Sequence, residues 1–182
     1  YGLTLYSDIA ILLSVTIVLA DRVLSPFHYN SLPLIIPDVT ALYLVLVSKN
    51  LTVGLGQDLS EGTVITFLQM RGRRSVFTTF TIVNVVLPYL VFVLSSLLVF
   101  FLSNFPFSFI YTDFTSYYLF STGGNLFITL ILKKSLRSFL VGNLFNVSVI
   151  FLSLVNYHVI IATFFGLIFY AMSYFSFLLM QL

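Results

Sequence analysis

The sequence predicts an all-α integral membrane protein folded as a six-helix transmembrane bundle with both termini cytoplasmic. Three observations predict it. Of 182 residues, 59% are hydrophobic and only 8% are charged, with a mean hydropathy of +1.09; a soluble domain carries about 25% charged residues to cover its surface. The chain also divides into six apolar segments, each close to the roughly 20 residues that cross a bilayer as a helix. Finally, the basic residues fall almost entirely in alternate loops, as topology selection in membranes requires.

The expected spans, taken in order as one transmembrane domain over 1–182, are 3–23, 37–56, 77–102, 115–132, 138–155 and 157–181. Span one carries Asp8 near its start, and span two is interrupted by Lys49 and Asn50. Span three contains Pro88, which predicts a kink, with Thr81 and Asn84 placed to satisfy carbonyls that the proline frees. Span four contains Gly123 and Gly124 beside Asn125, a combination suited to close helix approach. Asn143 and Asn146 lie one turn apart in span five, and Ala162-x-x-x-Gly166 in span six is a small-residue packing pattern. Long uninterrupted apolar runs such as 85–102 argue against a β-barrel, whose strands alternate.

Charge then orients the bundle. Lys49, Arg71, Arg73, Arg74, Lys133, Lys134 and Arg137 share one side, and Arg22 stands alone on the other. The basic side is expected to be cytoplasmic, which places the chain in the cytoplasmic (plasma) membrane as a multi-pass protein. Phe105, Phe107, Phe109, Tyr111, Phe114, Tyr117 and Tyr118 crowd the connection between spans three and four and are expected to form an outer interfacial belt. Pro26, Pro33 and Pro37 bracket the first outer loop.

Several functions are excluded. The chain has no Cys, so thiolate chemistry and disulfides are absent. His28 and His158 stand alone, which is too few for a haem-bearing helix pair and gives no metal site. A net charge of +2 without a solvated basic face does not suit nucleic acid. No Gly-x-x-x-x-Gly-Lys-Ser/Thr run occurs, so no nucleotide phosphate loop is present. No secretory signal is expected, because the first residues are not basic and no small-residue cleavage site follows. No catalytic residue is expected, and the protein is not expected to be an enzyme.

The longest polar stretch lies between spans two and three. Asp58 is expected to cap a helix over 58–70, with Glu61 reaching back to it and Val64, Phe67 and Leu68 on one apolar face. Gly72 would end it, and Arg71, Arg73 and Arg74 would sit at its negative end. Such a short amphipathic cytoplasmic helix serves either as a membrane-hugging connector or as a docking element for a soluble partner.

The string Asp58-Leu59-Ser60-Glu61-Gly62-Thr63, then Phe67-Leu68, then Arg73-Arg74 leading into span three, resembles the permeases of the type-2 exporter class of ATP-binding-cassette transporters. In that family an acidic-Gly-Thr turn opens a cytoplasmic coupling helix after span two. The six-span layout, with a short basic loop at Lys133-Lys134-Ser135-Leu136-Arg137, is also similar. The chain departs from the family pattern at Arg71, where Pro is common, and in the short link around Asn156. The resemblance implies a permease subunit of an ATP-driven exporter, paired with a second permease subunit and with a separate cytoplasmic ATPase. ATP and Mg would be bound by that partner and no cofactor by this chain. Asp58, Glu61, Gly62, Thr63, Arg73 and Arg74 would then couple to the ATPase.

The first reading of Thr81, Asn84 and Asn125 is helix packing, and of Lys49 snorkelling to the interface; the alternative is a translocation path along Lys49, Thr81, Asn84 and Asn125. The alternative reading of the whole chain is a non-catalytic structural or accessory subunit of a larger membrane complex, such as a respiratory or oxidase assembly.

Overall fold

The computed structural model describes residues 2–24, 43–105, 108–153 and 158–180, and among these every regular element is helical. We number the helices α1 (Gly2–Leu24), α2 (43–61), α3 (Thr63–Arg71), α4 (Arg73–Leu102), α5 (Ser108–Leu132), α6 (Ser135–Ser153) and α7 (His158–Leu179). Among the described residues, three helices are long and apolar enough to cross a membrane: Thr4–Val23, Arg73–Leu102 and Val159–Leu179. Their outward faces carry Leu12, Leu94, Leu98, Ile160 and Phe164, all exposed. Apolar surface of that extent is stable only when the surrounding solvent is itself apolar.

Side-chain contacts give the running direction of each helix. Ser135, Gly142 and Asn146 of α6 meet Gly56, Thr52 and Ser48 of α2, so these two helices are antiparallel. Ser121 and Asn125 of α5 meet Asn146 and Gly142 of α6, again antiparallel. Tyr111, Thr115 and Tyr118 of α5 bond Ser96, Tyr89 and Val85 of α4, a third antiparallel pair. Ser116 and Thr122 of α5 bond Thr163 and Tyr170 of α7, so those two run parallel with α6 returning between them. Ser7 and Arg22 of α1 reach Ser95 and Ser103 of α4, also parallel. One end of the bundle therefore gathers the α2–α3–α4 turns, the Lys133-Lys134 turn and the end of α7. The opposite end holds Arg22 beside Ser103.

Helix α5 is the axis. Phe114, Tyr118, Ser121, Thr122, Asn125, Leu126 and Thr129 are all buried along it. It approaches α7 with almost no side chain between them: a Cβ on Gly166 would lie 2.9 Å from the backbone of Leu119 and Phe120, and one on Gly123 would lie 2.9 Å from the Gly166 carbonyl oxygen. The small-residue pattern of 162–166 is thus a helix contact, in which missing side chains let backbones meet.

The aromatic residues after α4 depart from expectation. They do not form an outer belt: α5 begins at Ser108, and Phe114, Tyr117 and Tyr118 are in the core, with Phe105. Tyr111, Phe114 and Tyr118 fall at i, i+3 and i+7, one helical face, and that face stacks inward. Phe114 lies on Phe92 with ring centroids 3.9 Å apart, and Tyr43 packs on Phe92 at 4.7 Å. Phe107 and the side chain of Phe109 lie outside the described residues, as do Pro26, His28, Pro33, Pro37, Asn156 and the His158 side chain.

Pro88 has its predicted local effect in a specific form. A π-turn over Ile82–Val86 precedes it, which widens the helix where the proline cannot donate its backbone hydrogen bond. Tyr118 Oη donates to the Val85 carbonyl at 2.7 Å and Tyr43 Oη to the Pro88 carbonyl at 2.6 Å. Thr81 and Asn84 bond back to Phe77 and Phe80. The phenols thus tie two other helices to carbonyls beside the proline.

Candidate functional site

The basic end of the bundle is built around two glycines. After a π-turn over Asn50–Gly54, α2 continues through Gly56 to Glu61, with Leu51, Leu55 and Leu59 along it. Gly62 then takes φ +76°, a left-handed conformation that a β-carbon disfavours, and ends it. Helix α3 starts at Thr63 and stops at Gly72, also at φ +76°. A nine-residue helix is thus set between two glycines of positive φ, with long helices on either side.

This corrects the expected helix over 58–70. Asp58 does not cap it, and Glu61 does not reach back to Asp58; both belong to the last turns of α2. Glu61 instead accepts a hydrogen bond from Gln57 Nε2 at 2.7 Å. The continuation of α2 and the left-handed Gly62 together outweigh an aspartate cap, because extending α2 keeps its backbone hydrogen bonds while Gly62 makes a turn that other residues resist.

Helix α3 covers a cleft. Val64 is buried and Leu68 half-buried, but Phe67 is 52% and Met70 77% exposed. Beneath the helix is a space of about 420 Å³, walled by the end of α2, the first three turns of α4 and Phe177 of α7. Its walls are apolar except at Asp58, Arg71, Thr79 and Asn84. Partial burial in these walls, together with the nearby Glu61, raises the pKa of Asp58 above the ordinary carboxylate value.

The residues of the expected coupling set are all at this end. Thr63 opens α3 half-buried, and Arg73 and Arg74 open α4 exposed. Arg73 also donates through Nη1 to the carbonyl of Leu178, capping the last turn of α7. Nothing in the sequence pairs residues 73 and 178; only the antiparallel packing of Phe77 on Tyr174 and Phe177 brings them together.

The residues of the expected path do not converge. Lys49 is exposed on α2. Asn84 lies at the inner end of the cleft, while Thr81 bonds along its own helix. Asn125 is fully buried elsewhere, in a seam joining three helices. In that seam Ser121 Oγ and Asn125 Nδ2 both donate to Asn146 Oδ1, at 2.7 and 2.9 Å, and Asn146 Nδ2 donates to Ser48 Oγ at 2.8 Å. The Asn125 Oδ1 atom has no N–H or O–H donor and sits against the bare α-carbon of Gly142. Such Cα–H···O contacts are a recurrent if weak substitute between helices. Among the described residues no group of three His, Cys, Asp or Glu is arranged to hold a metal.

No protein-family model matches this chain, and neither a curated protein nor a solved structure matches it.

Proposed function

We propose that the chain is the permease subunit of an ATP-driven exporter, driven through α3 by a separate cytoplasmic ATPase and working as a homo- or heterodimer. In this reading it crosses the plasma membrane six times, with the basic end and both termini in the cytoplasm. The alternating helix directions support the even number of crossings, and the gathering of the basic turns at one end supports the orientation.

One observation carries the functional part: α3 is a stiff, partly uncovered helix fixed between two glycines of positive φ, and it continues into two long helices. Force applied to Phe67 or Met70 would be passed to α2 and α4, because the nine-residue helix moves as one piece and is joined directly to both. Glu61 and Arg74 add polar contacts at its two ends. An ATPase closing against this helix would shift the bundle between two conformations to the extent that it binds one of them better.

The test has two parts. Purified from its native membrane, the chain is expected to bring with it an ATPase that has a nucleotide phosphate loop. Recovery with haem, copper or quinone subunits would overturn the proposal in favour of a structural subunit of a respiratory or oxidase complex. In the ATPase complex, the double variant Glu61→Lys, Gly62→Val is expected to insert normally while losing permease-dependent control of ATP hydrolysis; unchanged control would also overturn it.

A further inference from the structure

The cleft beneath α3 is elongated. On α4 its lining runs from Val76 to Asn84, eight residues, which at 1.5 Å per residue is about 12 Å. Its volume of about 420 Å³ is room for about one acyl chain, so the second chain of a phospholipid would lie outside the cleft in the surrounding lipid. Leu55, Val64, Phe80, Val83 and Phe177 make the walls hydrocarbon-like. Val83 is half exposed, so the cleft opens sideways onto the outer surface of α4 as well as toward the basic end.

The charges at this cleft have both signs. Arg71 is exposed and Asp58 is half-buried, and both border the same space. A purely anionic headgroup would meet the Asp58 carboxylate, and a purely cationic one the Arg71 guanidinium. A phosphate with an ammonium a few bonds away meets one partner of each sign. We propose that the cleft binds one zwitterionic phospholipid, one of its acyl chains along α4 toward Asn84, its phosphate at Arg71 and its ammonium at Asp58. This site does not depend on the exporter reading, since neither residue needs an ATPase to bind lipid. The general attraction of the basic end, with Arg73 and Arg74 nearby, favours anionic lipid instead. A preference for zwitterionic lipid would therefore be specific to the cleft.

The chain contains no Trp, so a single introduced one reports its surroundings alone. The full chain carrying Phe80→Trp is placed in nanodiscs with brominated phosphatidylethanolamine or brominated phosphatidylglycerol at equal low mole fraction. Quenching by the ethanolamine lipid is expected to be stronger by about 1.5- to fivefold in apparent affinity, the range of one exposed ion pair. Adding Asp58→Asn is expected to remove that preference, and adding Arg71→Gln to weaken quenching by both lipids. A second reporter, Val83→Trp, checks that the first variant has not disturbed the fold and is expected to show the same order. Equal quenching by both lipids, stronger quenching by phosphatidylglycerol, or no quenching at either reporter overturns the proposal.

Discussion

The seam around Asn146 and the cleft beneath α3 are both meeting places of several helices, yet they are built on opposite principles. In the seam, Ser48, Ser121, Asn125 and Asn146 come from three helices, are fully enclosed, and bond to one another. Next to it, Gly123 and Gly166 bring the backbones of α5 and α7 so close that a β-carbon has nowhere to go, and Gly124 and Gly142 leave the room that the Phe145 ring and the Asn125 amide fill. In the cleft, apolar side chains surround unfilled space, Phe67 and Met70 stay uncovered, and charge of both signs lines the edge. The lesson is a division of labour: the seam makes one arrangement of α2, α5, α6 and α7 much better than its neighbours, while the basic end is left loosely covered, free to be completed by something else.

The largest effect expected from breaking this contrast is on the seam side. Gly166→Leu must push α5 and α7 apart, because even a β-carbon there would lie 2.9 Å from the α5 backbone. A cost of about 3 kcal/mol or more is expected, seen as loss of monodisperse protein in detergent or a large fall in melting temperature. A melting temperature like that of the parent would mean that the two helices are not in contact. Next comes Asn146→Ala, which removes three interhelical hydrogen bonds at once. At about 0.6 kcal/mol for a typical bond between membrane helices, a loss of roughly 2 kcal/mol is expected in a denaturation series. Restoring the amide with Gln should recover little, since the longer side chain overshoots Ser48. The smallest effect belongs to the cleft: Phe67→Ser with Met70→Ser is expected to change stability by no more than about 0.5 kcal/mol. If those two exposed residues prove as important for folding as Asn146, the division between the two regions fails.

Much of this architecture is legible in the order of the amino acids. The helical class follows from the apolar runs. Gly72, Pro88 and the 162–166 pattern each have local chemistry that announces a stop, a distortion and a close contact, and each has that role in the fold. The features that local patterns leave open depend on competition or on distance. The Asp58–Glu61 spacing suits a helix start, but α2 runs on through it and Gly62 decides the break. The aromatics at 111, 114 and 118 have the spacing of a buried face and the crowding of an interfacial belt, and only their partners Tyr43 and Phe92 decide between the two. The contacts of Arg73 with Leu178 and of Tyr118 with Val85 join residues far apart in sequence, so no local pattern marks them. Of the candidate site, the segment is legible but the cleft is not, because its walls come from α2, α3, α4 and α7.

The polar seam also has a consequence for how the protein is made. Helix α5 is synthesised before α6 and α7, yet Asn125 finds Asn146, and Thr122 finds Tyr170, only on those later helices. It is also not among the helices long and apolar enough to cross a membrane by themselves. Until its neighbours emerge from the ribosome, α5 has only its own carbonyls for these groups, as Thr122 uses Tyr118 and Asn125 uses Ser121, and lacks the cross-helix bonds of the finished seam. In the proposed six-crossing bundle, entry of α5 into the bilayer would therefore be helped by the arrival of α6 and α7, and truncation before α7 should leave α5 the segment most readily handed to quality control.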